Sequence, residues 1–467
     1  MKNFLFIIFL GFSCLVNAET PQNVILFIGD GMSVPQRMLA DEFARKVGHG
    51  PLAMNNLAYV ATTRTCSSNS LVTDSAAAAT AIACGVKTNN GSIGVDAKGQ
   101  SQRSCAEVAR DAGKKVGIIT TVTLTHATPA GFYGHRSSRG QTYGLALDLA
   151  NSQMDFFAGG GLDYSYNDRK AAGYVGDAYA YAASKGYTVI SNRADFAAIT
   201  SHTGKILTRF TDGPLSYAID SEAQNQPSLA EMTRKALEVL PSPKGFFLMV
   251  EGGRIDWAGH ANDAATNLRE VLAFDEAVRV ALAFQKTHPE TLIVVTGDHE
   301  TGGMSMGFAG TGYALYPERL KNQTMSVGAF DQMVQRVLSE NPEADFDAIA
   351  PVITQAFGLI AQNRPKNNPL SVTNEEKKEL KDAFKHDCDL HHRHVKENKK
   401  YDGEKQYKLG GVCRLILSHK SGIGWSSSAH TAMPVLTTAQ GVGAERFTGL
   451  IENTQISAVL KDFFTAD

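Results

Sequence analysis

The stretch Glu251-Gly-Gly-Arg-Ile-Asp-Trp-Ala-Gly-His260, directly after the apolar run Gly245-Phe-Phe-Leu-Met-Val250, decides how the rest of the chain is read. A short apolar run bounded by glycines reads as a buried strand, so Glu251 falls at its carboxyl end. Asp256 and His260 are four residues apart, and on a helix they point the same way, which suits two ligands of one divalent metal. Glu251 sits too far back to join them easily and is better placed to hold a second cation nearby. Taken alone, Asp256 could be a helix cap and His260 an ordinary core or surface histidine. Repetition shifts the balance. Asp30, Asp298, His299 and His430 also follow apolar runs or lie in Gly/Ser-rich loops, where functional groups are carried on a rigid scaffold.

Upstream, Asn23-Val-Ile-Leu-Phe-Ile28 reads as a strand running into Gly29-Asp30-Gly31, a turn that leaves the Asp30 carboxylate uncrowded. An ordinary Gly-Asp-Gly turn has the same letters, but its place after the first strand of an α/β pattern favours a site. Val72-Thr-Asp74-Ser75 opens an alanine-rich helix that stops at Cys84-Gly85. Asp74 or Ser75 can serve simply as its cap. A serine at a helix amino end also sits in a positive field that favours an alkoxide and an attached phosphoryl group. Ser75 does not lie in a Gly-x-Ser-x-Gly elbow, which disfavours that kind of ester hydrolase. The strand Lys115-Val-Gly-Ile-Ile-Thr120 leads to His126, Thr128, His135 and Arg139, where a guanidinium fork could hold two phosphate oxygens. His135 reads as structural.

Downstream, 267–287 has helical periodicity, and Thr291-Leu-Ile-Val-Val-Thr296 is a strand ending at Asp298-His299. Between about 308 and 425 the character changes to helices over 330–339 and 345–357 and one opening at Thr373, whose Thr-x-x-Glu is a capping box. The charged run 375–408, with His386, His391, His392 and His394, reads as a solvated face rather than a metal site. Ser426 to Thr431 then brings His430, and a helix over 453–464 closes the chain.

With 467 residues, 43% hydrophobic, 20% charged and a net charge of -2, the chain is an ordinary soluble globular type without an electrostatic footprint for nucleic acid. Met1-Lys2-Asn3, the apolar Phe4 to Phe12 and Val16-Asn-Ala18 have the form of a secretory signal cleaved after Ala18; a lipoprotein signal ending at Cys14 fits less well. No later segment is long and apolar enough to span a bilayer. The expected compartment is the periplasm or the exterior. Five cysteines remain there; Cys388 with Cys413 is the first candidate bridge and Cys66 with Cys105 the second, whereas Cys84 reads as a small buried hydrophobe.

Val72-Thr-Asp-Ser-Ala-Ala-Ala-Ala-Thr80 matches the active-site signature of the alkaline phosphatases at every position, and 23–32, 126–139, 251–260, Asp298-His299 and His430-Thr431 resemble that family's metal and phosphate segments in order. The resemblance covers 19–307 and 426 onward. It implies an α/β fold with a large, mostly parallel central sheet, helices on both faces, and a crown-like helical or irregular insertion, 308–425, near the active-site rim. It implies two zinc ions and one magnesium ion. One zinc falls to Asp256, His260 and His430, the other to Asp298, His299 and Asp30. Asp30 bridges to the magnesium, shared with Thr128 and Glu251.

Ser75 is then the nucleophile that becomes phosphorylated, and Arg139 grips the phosphoryl oxygens. Asp74, His126 and Trp257 are expected just behind these groups, with His126 beside the magnesium, whose identity His126 leaves open. The implied reaction is hydrolysis of small phosphate monoesters, and family habit implies a homodimer. Alternatives are a phosphodiesterase or sulfatase of the same superfamily, or a non-catalytic secreted zinc-binding protein. No Cys/Ser-x-Pro-x-Arg context surrounds Ser75, and the set Asp30, Thr128 and Glu251 favours monoesters.

Overall fold

The computed structural model describes residues 20–163, 165–223, 225–397 and 408–466; the signal segment 1–18 and Cys14 lie outside them. In chain order the first strands are β1 (Asn23–Gly29), β2 (Tyr59–Arg64), β3 (Lys115–Thr120), β4 (Phe156–Ala158), β5 (Tyr187–Ile190), β6 (Lys205–Thr208) and β7 (Phe246–Gly252). They are followed by β8 (Thr291–Gly297), β9 (Glu300–Thr301), β10 (Met304–Met306), β11 (Ile423–Trp425), β12 (His430–Thr431), β13 (Val435–Gly441) and β14 (Gly449–Glu452). Ten of these form one sheet in the order β14-β2-β13-β8-β1-β7-β3-β4-β6-β5. Every pairing in it is parallel except those of β13 with β2 and β8.

The central strands are apolar throughout because both faces are covered. On β1, Ile25 and Phe27 pack against one layer, with Leu39 and Phe43 of the helix Val34–Lys46 and Leu268, Phe274 and Val278 of the helix Ala264–Gln285. Val24, Leu26 and Ile28 face the other, with Ile82 of the helix Ser75–Cys84, Leu149 of Thr142–Ser152, and Ile456, Leu460 and Phe464 of Asn453–Thr465. Burying each such side chain fully contributes about 1.5–3 kcal/mol, so the sheet centre is the rigid part of the molecule.

Register sets the site. Gly29 of β1 lies between Gly252 of β7 and Gly297 of β8, so three carboxyl ends stop in one row. Glu251 stands one residue inside that row, between Ile28 and Thr120. Asp30 and Asp298 are the next residues out, at the end of an open α/β sheet where ligands bind.

Among the described residues, the segment between β10 and β11 adds no strand to the large sheet. Its ends are clipped together, Met304 opposite Trp425 and Met306 opposite Ile423. The expected helices form as Val327–Glu340, Phe346–Phe357 and Asn374–Glu397, and a further one, Leu409–Lys420, follows. The segment is rooted beside β9, but its helical body lies over the helix Ala264–Gln285. Phe330, Ile349, Phe357 and Leu417 extend the core of that face, and Arg269 of that helix donates to the carbonyls of Leu320 and Gln323.

The predicted cysteine bridges do not form: Cys66, Cys84, Cys105, Cys388 and Cys413 are all free. Cys413 is fully buried in its helix, whereas Cys388 is half-exposed in a groove with Phe346, Lys381 and Phe384. Cys105 is likewise buried and Cys66 partly exposed, while Cys84 is the buried thiol expected. In the charged helix, His392 is exposed and His391 is buried, and His386 Nδ1 lies 3.1 Å from Asp387 Oδ1. Among the described residues these histidines join no convergent set of metal donors.

Candidate active site

Ser75 is the first residue of the helix Ser75–Cys84, and the capping task falls to its neighbour: Asp74 Oδ1 accepts from Ala77 N at 3.0 Å. Ser75 is thereby left uncommitted at the positive end of the helix, with Oγ 3.2 Å from His299 Nε2. Asp74 Oδ2 also accepts from Gly91 N and from Arg139 Nη1, at 3.0 and 3.2 Å. Arg139 Nη2 lies 3.1 Å from His126 Nε2. The guanidinium is thus tied to the residue that precedes the serine and to His126.

Asp256 and His260 do share one face of a helix, Arg254–His260, and His430 joins them. It arrives through β12, which pairs antiparallel with β9 so that His430 sits opposite Thr301. His260 Nδ1 is 2.7 Å from the Ser428 carbonyl and His430 Nδ1 is 2.8 Å from that of Thr73. A carbonyl can only accept, so both Nδ1 atoms carry the proton and both Nε2 atoms are free to ligate. The two Nε2 atoms are 3.2 Å apart and lie 3.4 and 3.5 Å from the Asp256 carboxylate.

The second group is drier. Asp30, Glu251, Asp298 and His299 are fully buried. His299 Nε2 is 3.4 Å from Asp30 Oδ1 and 3.3 Å from Asp298 Oδ2, while Asp298 Oδ1 accepts from Gly31 N at 3.0 Å. Gly31 has φ +72°, and a Cβ there would stand 2.8 Å from Asp256 Cα, so only glycine lets the turn approach the second helix. Thr128 Oγ1 donates to Asp30 Oδ2 at 3.3 Å, and Thr120 donates to Glu251.

Donor atoms converge in three sets: Asp256, His260 and His430; Asp30, Asp256 and His299; and Asp30, His126 and Glu251. Asp298 stands against the second set through His299. His126, expected behind the ligands, is itself within ligand reach of Asp30 and Glu251. Trp257 lies edge-on to it, with ring centroids 6.0 Å apart.

Electrostatics show what these sets accommodate. Burial, then Asp298, Asp256 and Glu251, raises Asp30 well above the usual carboxylate range. Burial lifts Glu251 to about 8 and, with Asp256, Asp298 to about 7. Burial acts to raise Asp256 too, but the bonds from His260 and His430 hold it well below its ordinary value. Burial, then Arg139, lowers His126 to about 3, so its imidazole is neutral. Asp30 Oδ1, Glu251 Oε1, Asp298 Oδ2 and His126 Nδ1 are buried without a hydrogen-bond partner. Crowded carboxylates with orphaned oxygens are destabilising alone and become favourable around cations, so the residues fit divalent metals.

Two contributors went unnoticed in the sequence. Thr301 Oγ1 donates to Asp256 Oδ1 and lies 3.3 Å from His299 Nδ1. Glu300 accepts from Gln36 Nε2, Gly303 N, Met304 N and Thr431 Oγ1, which ties β9 to β12. The signal was their position: both directly follow Asp298-His299 in a loop that a sheet of this kind buries.

Fold and site together define a metal-dependent α/β hydrolase with a serine among its metal donors. The family model described as alkaline phosphatase matches residues 21–466. Alkaline phosphatase 3 of Bacillus subtilis strain 168 is 33% identical over 94% of this chain and 88% of its own. An alkaline phosphatase of Schizosaccharomyces pombe is 30% identical over 95% and 81%. Among solved structures, the cold-active alkaline phosphatase of a psychrophilic Shewanella sp. superposes with TM-score 0.79 at 29% identity, covering 95% of this chain and all of that one. That of Thermus thermophilus gives 0.75 at 28%, over 95% and 91%. A variant of the alkaline phosphatase from the Antarctic bacterium TAB5, 26% identical with TM-score 0.66 over 96% and 99%, is described with magnesium bound in its M3 site. The chain belongs to the alkaline phosphatase family. It is a phosphatase that hydrolyses small phosphate monoesters.

Proposed function

We propose that hydrolysis proceeds through a phosphoserine on Ser75. The observation that carries this reading is the Ser75 hydroxyl at a helix amino end, 3.2 Å from His299 Nε2 and beside the Arg139 guanidinium. Asp256, His260 and His430 hold one zinc, Asp30, Asp298 and His299 a second, and Asp30, Thr128 and Glu251 a magnesium. When bound, such cations supply Lewis acidity to the attacking and leaving oxygens of an in-line displacement. Ser75 Oγ attacks phosphorus as the alcohol departs on the opposite side, and water then cleaves the phosphoserine to regenerate the hydroxyl. Arg139 holds two phosphoryl oxygens through both half-reactions. The place of His126 among the third set supports a cation there and puts an imidazole nitrogen next to it.

The signal-like amino terminus supports a periplasmic or secreted enzyme in which 308–425 is an insertion into the 19–307 and 426–467 core. A homodimer is the assembly proposed; exposed Val60 and Leu450 on adjacent strands at one end of the sheet support a protein contact there. Acid quenching during turnover is expected to trap phosphate on Ser75. Ser75→Ala is expected to abolish that capture and lower turnover at least about 10³-fold with zinc still bound. Unchanged turnover in that variant rejects the serine mechanism.

A further inference from the structure

The loop that carries Arg139 rests on the segment 91–94. Arg139 N donates to Gly91 O at 2.7 Å, and Ile93 and Arg136 exchange backbone bonds of 2.9 and 2.8 Å. Between this platform and the helix Cys105–Asp111 stands His135, with Nδ1 2.8 Å from Gly94 O and Nε2 3.1 Å from Glu107 Oε1. A Cβ on Gly94, at φ +60°, would lie 2.8 Å from that Nδ1, so the ring is seated against bare backbone.

Both partners are acceptors. A neutral imidazole donates from one nitrogen and presents a lone pair at the other, so only the imidazolium makes both bonds. We propose that His135 is a proton-dependent strut that positions Arg139: the imidazolium ties Gly94 to Glu107, and losing its proton slackens the loop that carries the guanidinium. This rests on the reading of Arg139 as the phosphoryl clamp.

The charges around the ring agree with the geometry. The bond to Glu107 raises His135 above its ordinary value, against burial, and Asp148 adds to the rise. Glu107 is held low by His135, the Ser104 amide and Arg110, against burial. Asp148 is itself paired with Arg136, and the His135 amide lies 3.4 Å from its Oδ2. The strut therefore keeps its proton to higher pH than a free imidazole and loses it as the pH rises further.

The test is competitive inhibition of the metal-loaded enzyme by inorganic phosphate from pH 6 to 10. His135→Ala is expected to weaken inhibition about 3- to 10-fold at pH 6–7, the scale of one or two lost hydrogen bonds. The gap should close by pH 10, with the change falling on KM rather than kcat. Glu107→Gln keeps the capping box of its helix but removes the counter-charge. It should move both the step in phosphate affinity and the His135 ring titration seen by NMR to lower pH. A pH-independent gap, no gap, or an unmoved ring titration in Glu107→Gln overturns the strut. Arg139→Ala separates the two readings: if it leaves phosphate inhibition unchanged, the clamp is what fails.

Discussion

The two metal-donor regions on either side of Ser75 are built on opposite principles. The inner one, Asp30, Glu251, Asp298 and His299, is sealed and acid-rich, with every side chain fully buried on the ends of β1, β7 and β8. The outer one, Asp256, His260 and His430, is histidine-rich and half open, the His260 side chain being 41% exposed. Sealing concentrates negative charge where water cannot relieve it, so the inner region needs cations to be comfortable. The outer region already compensates its one carboxylate with two imidazoles, and its openness suits entry of substrate and exit of product.

The largest expected effect separates the regions by metal count. Asp30 belongs to two of the three donor sets, so Asp30→Ala should empty two positions; His260→Ala should disturb one. Losing several kcal/mol of charge stabilisation, at tenfold per 1.4 kcal/mol, predicts a fall in kcat/KM of about 10³-fold or more for Asp30→Ala. The loss in His260→Ala should be smaller. Metal content per chain by mass spectrometry, alongside kinetics, checks this. A His260→Ala protein stripped of all metal, with Asp30→Ala missing only one, would reverse the comparison.

A pH titration of the metal-free protein probes the same contrast with a smaller effect. Glu251, raised to about 8, and Asp298, raised to about 7, keep protons in the folded chain that the unfolded chain has already released. Through these carboxyls the native state binds more protons between about pH 4 and 8 and stability falls as pH rises through that window, opposed below about 6.5 by His126 and His299, whose values burial lowers. His260, raised by its bond to Asp256, acts in the same direction above 6.5. Asp256, held low, matters only in acid below its ordinary value. The melting midpoint of stripped protein should drop by several degrees from pH 5 to 9, and zinc and magnesium should abolish the drop while releasing protons, as calorimetry in two buffers would show. A flat midpoint would mean that the inner region is not the strained one.

Much of this was legible in the chain. The run 115–120 forms a strand with the bounds its apolar pattern predicts, and the acids after β1 and β8 fall where an open sheet binds ligands. His430 is different: its delivery depends on β9 and β12, strands of two residues each, too short to show a period and far apart in sequence. Strands β2 and β14 at the sheet's end went unread for a related reason, since Tyr-Val-Ala-Thr-Thr-Arg alternates only weakly. The cysteines misled because proximity in sequence says nothing about burial, and Cys413 is enclosed by its own helix layer.

The smallest effect tests a side chain that bonds to both regions. Thr301 Oγ1 has a single proton and gives it to Asp256, so toward His299 Nδ1 it can only accept. That places the His299 proton on Nδ1 and leaves Nε2 as the lone pair facing Ser75, Asp30 and Asp298. Thr301→Val keeps the branched shape and removes both bonds, freeing the Asp256 carboxylate and the His299 tautomer together. The expected loss is about 10-fold in kcat/KM, the low end for partners that orient metal ligands. Thr301→Ser, which keeps the hydroxyl, should recover most of it. If valine and serine variants behave alike, the hydroxyl does not couple the two regions, and each must set its own geometry.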